Sequence, residues 1–158
     1  MVPMRLLAEW GGVPVMTVRD WVRAGLIAPV VTGGRGRGNA SLFRPSAAVA
    51  VALGALYRRE GADDFRVRGV VKFLAGTSME EIERAVDDGL TMPVPASLMG
   101  VDWVPGLFVA PPLDDPDLTP AARAMMERLD LKPVLEDVKR KLAAIDAAGP
   151  ARRAKRKR

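Results

Sequence analysis

Arginine is the residue type best placed to do chemistry in this chain, and two neighbouring stretches concentrate it. In GGRGRGN, residues 33–39, Arg35 and Arg37 stand among four glycines, and just upstream TVRDWVRAG carries Thr17, Arg19 and Arg23. A guanidinium stays charged at any physiological pH and presents its N–H donors in a planar fork, so it recognises oxyanions and guanine edges and does not transfer protons. Two ligands suit such residues: the phosphates of a nucleotide cradled by a Gly-rich loop, or the backbone of a duplex lying against a basic hairpin. Catalytic alternatives are few. The chain has no histidine and no cysteine, which removes His-based triads, thiolate nucleophiles and imidazole or thiolate metal sites. An enzyme would be left with carboxylates or a Ser–Lys pair, and no spacing here sets one up. The expectation is a non-enzyme without a cofactor or metal.

The elements around these arginines separate the two ligands. MRLLAEWGG spaces Leu6, Leu7 and Trp10 as a short helix and stops at paired glycines. From Val15 to Ala24 a second helix follows, with Val15, Val18 and Val22 on one face, Thr17, Arg19, Asp20 and Arg23 on the other, Trp21 at the margin, and Gly25 as its stop. LIAPVV then reads as extended, GGRGRGN as a tip and ASLF as a returning strand, so residues 27–43 form a small hairpin. A helix pair followed by such a hairpin predicts a winged helix-turn-helix. A nucleotide loop needs a helix starting at its glycines, whereas NASLFRPS is no helix start and no GK[ST] follows. On the wing reading, Arg35 and Arg37 reach phosphates or the minor groove. The bland alternative is an αα-hairpin with solvated charges and a loop without a partner.

Charge is distributed to match. The net charge is +5, but residues 1–77 hold 11 Lys+Arg against 5 Asp+Glu, residues 78–137 hold 4 against 13, and residues 138–158 hold 9 against 1. Polyanion binding therefore belongs to the two ends, and the acidic middle would repel DNA. A length of 158 residues, with 49% hydrophobic and 27% charged, supports one modest core or two small ones. No apolar run approaches the roughly 20 residues of a membrane span, and MVPMRLLAEW lacks the features of a secretory leader. The expected location is the cytoplasm, at the nucleoid, with no membrane partner.

The run GVPVMTVRDWVRAGLIAP resembles the start of MerR-type transcriptional regulators, whose helix-turn-helix ends in a small residue, Gly, two aliphatics and a proline. The likeness continues through two helices behind the wing, PSAAVAVALGALYRREG and DDFRVRGVVKFLAG, and covers roughly residues 4–76. It implies that Thr17 and Arg19 face DNA from the recognition helix and that Arg35, Arg37 and Arg44 touch backbone from the wing. It also implies a homodimer that distorts promoter DNA. The chain departs from the family pattern at Pro14, where a capping Ser is common, and at Asp20 and Trp21, where an aromatic pair often stands. Asp20 would repel phosphate unless it restrains Arg19 or Arg23. The wing and following helix are also similar to winged-helix small subunits of phage terminases, which implies a ring-forming DNA-packaging protein that binds a large ATPase.

The expected class is mainly α with a small β wing, in four parts. Residues 1–77 form the DNA-binding domain, with Ser46 capping a helix that turns Val49, Leu53 and Leu56 inward, and Asp63 or Asp64 capping one carrying Val67, Val70, Val71 and Leu74. Residues 78–118 form a small acidic α+β subdomain, opened by the capping-box sequence SMEE and containing Met99, Trp103 and Phe108, with the linker PPLDDPDLTP running across its boundary. This acidic segment is the place where RNA polymerase or another protein would bind. Residues 119–148 hold C-terminal helices in which Leu131, Leu135, Val138, Leu142 and Ile145 form a two-heptad seam. That seam either folds back or meets a second copy, the family resemblance favouring the second. Residues 149–158 are a disordered basic tail.

Overall fold

A computed structural model describes residues 1–32, 41–88 and 131–155, together with the isolated positions 116 and 120. Its described part is mainly helical with one small antiparallel sheet. The order is β1 (Val2–Pro3), α1 (Met4–Gly11), α2 (Val15–Arg23), β2 (Leu42–Phe43), α3 (Pro45–Arg59), α4 (Asp64–Gly76), α5 (Met79–Asp87) and α6 (Leu131–Lys155).

The C-terminal ends of α1 and α2 follow from local chemistry. Helix α1 closes on Gly12 at φ 62°, where Val13 N–H reaches Ala8 C=O at 3.0 Å and Gly12 N–H reaches Glu9 C=O at 3.2 Å. Helix α2 ends the same way at Gly25, φ 70°, with Leu26 N–H on Trp21 C=O at 2.9 Å. These left-handed positions favour a residue without Cβ and satisfy carbonyls that the helix leaves open. Between them, Pro14 precedes the first turn of α2 with extended backbone and no side-chain cap.

Beyond α2 the chain returns on itself. Val31 and Leu42 form an antiparallel bridge in which Val31 N–H and Leu42 N–H each donate to the other's carbonyl, at 3.2 and 2.9 Å, and Val30 N–H also donates to Leu42 C=O at 2.8 Å. On its other side, β2 pairs antiparallel with β1, Val2 opposite Phe43 and Pro3 opposite Leu42. The pairing of β1 is an addition to the expected hairpin. It buries Val2 and Phe43 completely and fixes the start of α1 to the start of α3. The stretch read as the tip, residues 33–39, lies outside the described residues, as does most of the expected acidic subdomain, residues 89–115.

Helix α3 is the hub. Its PSAAVAVALGALY sequence puts small or apolar residues on nearly every side, so it is buried all round and packs against α1, α4, α5 and α6. Val49 and Leu53 turn inward as expected, while Leu56 is only partly buried. Ser46 does not cap. The proline-set first turn moves the cap two residues earlier, to Arg44, and leaves Ser46 inside the helix, 1% exposed, its hydroxyl without a hydrogen-bond partner among the described residues. The other caps form as expected. Asp63 accepts from Arg66 N–H at 2.8 Å, and Ser78 and Glu81 complete a reciprocal capping box at the start of α5.

Helix α6 folds back on the same core. Leu131, Leu135 and Val138 are 0%, 4% and 1% exposed within the single chain, Leu142 packs at the edge, and Lys139 pairs with Glu83 of α5 at 3.0 Å. The first half of the seam thus serves the chain's own interior. The apolar cluster accordingly continues beyond residue 77 through Ile82 to these α6 residues. The structure carries the helix through Gly149 and Pro150 to Lys155, where composition predicts an unfolded arm from residue 149. Pro150 removes one helical hydrogen bond but does not end the helix.

Candidate nucleic-acid interface

The outward face of α2 is decided by what its inner face buries. Val18 and Trp21 are core residues, 0% and 5% exposed, and Val22 is half-buried beside them. Compared with the expected Val15–Val18–Val22 stripe, the helix is rotated so that Trp21 enters the core and Val15 leaves it. A large indole removes more apolar area from water than a valine, so it takes the inner position. The face turned to solvent then carries Val15, Met16, Arg19, Asp20 and Arg23.

The charged side chains on this face differ in how they are occupied. Arg23 pairs with Asp20 at 3.4 Å, an exposed i,i+3 contact, so Asp20 restrains Arg23 in place of meeting an incoming phosphate. Arg19 has no carboxylate partner among the described residues; its Nη1 donates to Met16 Sδ at 3.2 Å. Arg44 is exposed at the entrance of α3, one residue beyond β2, and it too lacks a carboxylate partner among the described residues. Thr17 is half-buried and does not share the open face with Arg19. It lines a cleft with Asp20, Trp21, Arg58, Asp64 and Arg68.

That cleft is a neutralised cluster. Arg58 lies over the Trp21 ring and pairs with Asp64 at 3.3 Å, and Arg68 reaches the other oxygen of Asp64 at 3.7 Å. Its cations have partners already, which sets them apart from Arg19 and Arg44. Among the described residues no group of His, Cys, Asp and Glu is arranged to hold a metal ion. Nor is a described helix long and apolar enough to cross a membrane.

Of the six arginine and threonine positions singled out from the sequence, Arg19, Arg23 and Arg44 are exposed, Thr17 is half-buried, and Arg35 and Arg37 lie outside the described residues. The occupied states of Arg23 and Arg58 were not legible from spacing alone, since Asp20 could equally have turned to Arg19. Met16 was missed altogether. Its signal was present, since a methionine three residues before an arginine shares its face on a helix. Comparison with protein-family models, with curated proteins and with solved structures finds no match to this chain.

Proposed function

We propose that this chain is a sequence-specific double-stranded DNA-binding protein of the winged helix-turn-helix type, acting as a MerR-like transcriptional regulator. Helix α2 enters the major groove, Arg19 meets a base edge, and Arg44 with the Gly/Arg hairpin holds phosphate and fixes register. The observation that carries the reading is Arg19: an exposed arginine without a carboxylate partner among the described residues, on a helix held by a buried tryptophan. The helix order, the Val31–Leu42 bridge and the basic charge of residues 1–77 support it. Thr17 is reassigned from base contact to the edge of the cleft. The protein acts at the nucleoid as a homodimer on a two-fold related site.

The test is selection of preferred duplexes from a random pool, followed by binding titrations with the full chain. The expected outcome is a preferred palindromic site, with Arg19→Ala losing about 1 to 3 kcal/mol on that site and much less on random DNA. Absence of duplex binding at low salt sinks the reading. The mass of the free protein separates a dimeric regulator from a ring-forming packaging subunit.

A further inference from the structure

If α2 enters the major groove, two apolar side chains go in with it. Val15 and Met16 are 39% and 50% exposed, although Val18 and Trp21 have already filled the inner side of the same helix. Both therefore face outward. Residues three and four apart share a helix face, so Met16 and Val15 flank Arg19 on one surface. The contact from Arg19 Nη1 to Met16 Sδ, 3.2 Å, makes that surface continuous: a cation beside a thioether.

Base edges offer a matching pair of features. Guanine displays two acceptors in the major groove, O6 and N7, and thymine displays a C5-methyl group. Three residues of α-helix rise about 4.5 Å, comparable to the roughly 3.4 Å between successive nucleotides of one strand. A methionine is unbranched and polarisable, and packs on an irregular apolar surface more readily than a branched side chain does.

We infer that α2 reads a guanine and a nearby thymine together, Arg19 hydrogen-bonding the guanine edge while Met16, supported by Val15, packs on the thymine methyl. This rests on the DNA-binding reading and adds to it the base that the apolar residues select. A protein surface is the other conceivable occupant of Val15 and Met16. The cation beside them favours DNA, because the sole acidic side chain on this face, Asp20, is engaged by Arg23.

The experiment uses the full chain and its selected site. Each thymine is replaced in turn by deoxyuridine, which keeps the base pair and removes the methyl. At one thymine per half-site, affinity is expected to fall about fourfold, the equivalent of one buried methyl-sized group. Met16→Ser with Val15→Ser is expected to bind the thymine and deoxyuridine duplexes alike, and Met16→Leu to keep the difference. Circular dichroism checks that these surface variants stay folded. A defined preferred site at which no deoxyuridine changes affinity overturns the thymine contact and leaves Arg19 as the reader. So does a Met16→Ser, Val15→Ser protein that still distinguishes the methyl. Selection that returns no preferred site overturns both this inference and the reading beneath it.

Discussion

The guanidinium of Arg58, on α3, lies 5.8 Å from the centroid of the Trp21 ring, on α2. One turn earlier on the same helix, a Cβ built on Gly54 would come within 3.3 Å of Trp21 Cη2 and within 2.4 Å of Val71 Cγ2. Trp21 thus meets α3 at two points one turn apart, a glycine that leaves room for the ring edge and an arginine that lies over the ring. The two contacts differ in magnitude. A half-exposed cation over an aromatic ring contributes about 0.5–1 kcal/mol, and its exposed pairing with Asp64 a fraction of that.

Gly54→Ala is therefore expected to be the more damaging change. Alanine gains about 0.5–1 kcal/mol of helix propensity over glycine, but a methyl group forced against Val71 and Trp21 costs roughly 1–3 kcal/mol. Urea denaturation should show Gly54→Ala less stable than wild type, and less stable than Arg58→Ala. Gly54→Ala equal to wild type would mean that α3 and α4 are not so closely packed.

Stability should depend on acid through two carboxyls. Glu81 is held below its ordinary value of 4.5, first by the Ser78 backbone N–H at 2.8 Å and then by the Ser78 hydroxyl. Asp137 is held below 3.8, first by Lys141 and then by Arg140. Depressed folded-state values mean that the unfolded chain binds protons more readily, so this stabilisation is complete above the ordinary values. It disappears as the pH falls through the lowered ones. With no histidine in the chain, melting temperature should change little through neutrality and drop below about pH 4.5. Glu81→Gln should make that acid decline shallower. An unchanged acid limb in Glu81→Gln with Asp137→Asn would show that neither carboxyl contributes to it.

Burial of Leu135 in the chain's own core leads to a prediction about concentration. Leu135→Ala should cost roughly 2–5 kcal/mol as a core cavity does. The loss should be the same at every protein concentration, whereas a residue between two copies gives a melting temperature that rises with concentration. Leu142→Asp, at the half-buried edge of the seam, is the variant to compare by sedimentation. If Leu142→Asp stays folded and becomes monomeric, the second heptad of α6 is the place where two copies meet.

What could be read from the sequence was whatever a few neighbouring residues decide. Asp63 and the Ser78–Glu81 box act within one turn, Gly12 and Gly25 end their helices by backbone geometry, and all four were legible. What could not be read depends on partners distant in sequence. The two residues of β1 have no periodicity and exist only because Leu42 and Phe43 arrive beside them. Val15 and Trp21 compete for the inner side of α2, and the indole, with more apolar area to bury, takes it beside Gly54 of α3. Leu131, Leu135 and Val138 repeat as a seam would, but the same repeat suits a helix that docks on α3 and α5, and heptad spacing cannot tell the two apart. Of the candidate site, the charge and face of Arg19 were legible, and the half-burial of Thr17 was not.

The remaining prediction concerns GGRGRGN, residues 33–39, whose base is the Val31–Leu42 bridge. If Arg35 and Arg37 clamp the backbone while α2 reads bases, their replacement by alanine removes up to two phosphate contacts and no base contact. Affinity should then fall alike on preferred and random duplexes, and the slope of log K against log salt should become shallower by roughly 1 to 2 units. Arg44→Ala should behave the same way, with a change of about one unit, since it too is a cation without a base to read in this scheme. Arg19→Ala should differ from both, flattening discrimination at one position of each half-site while keeping most of the affinity for random DNA. Salt titrations of the three variants on both kinds of duplex distinguish these patterns. An Arg35→Ala, Arg37→Ala protein that matches wild type at every salt concentration would remove the hairpin from the interface and leave α2 and Arg44 to hold the duplex alone.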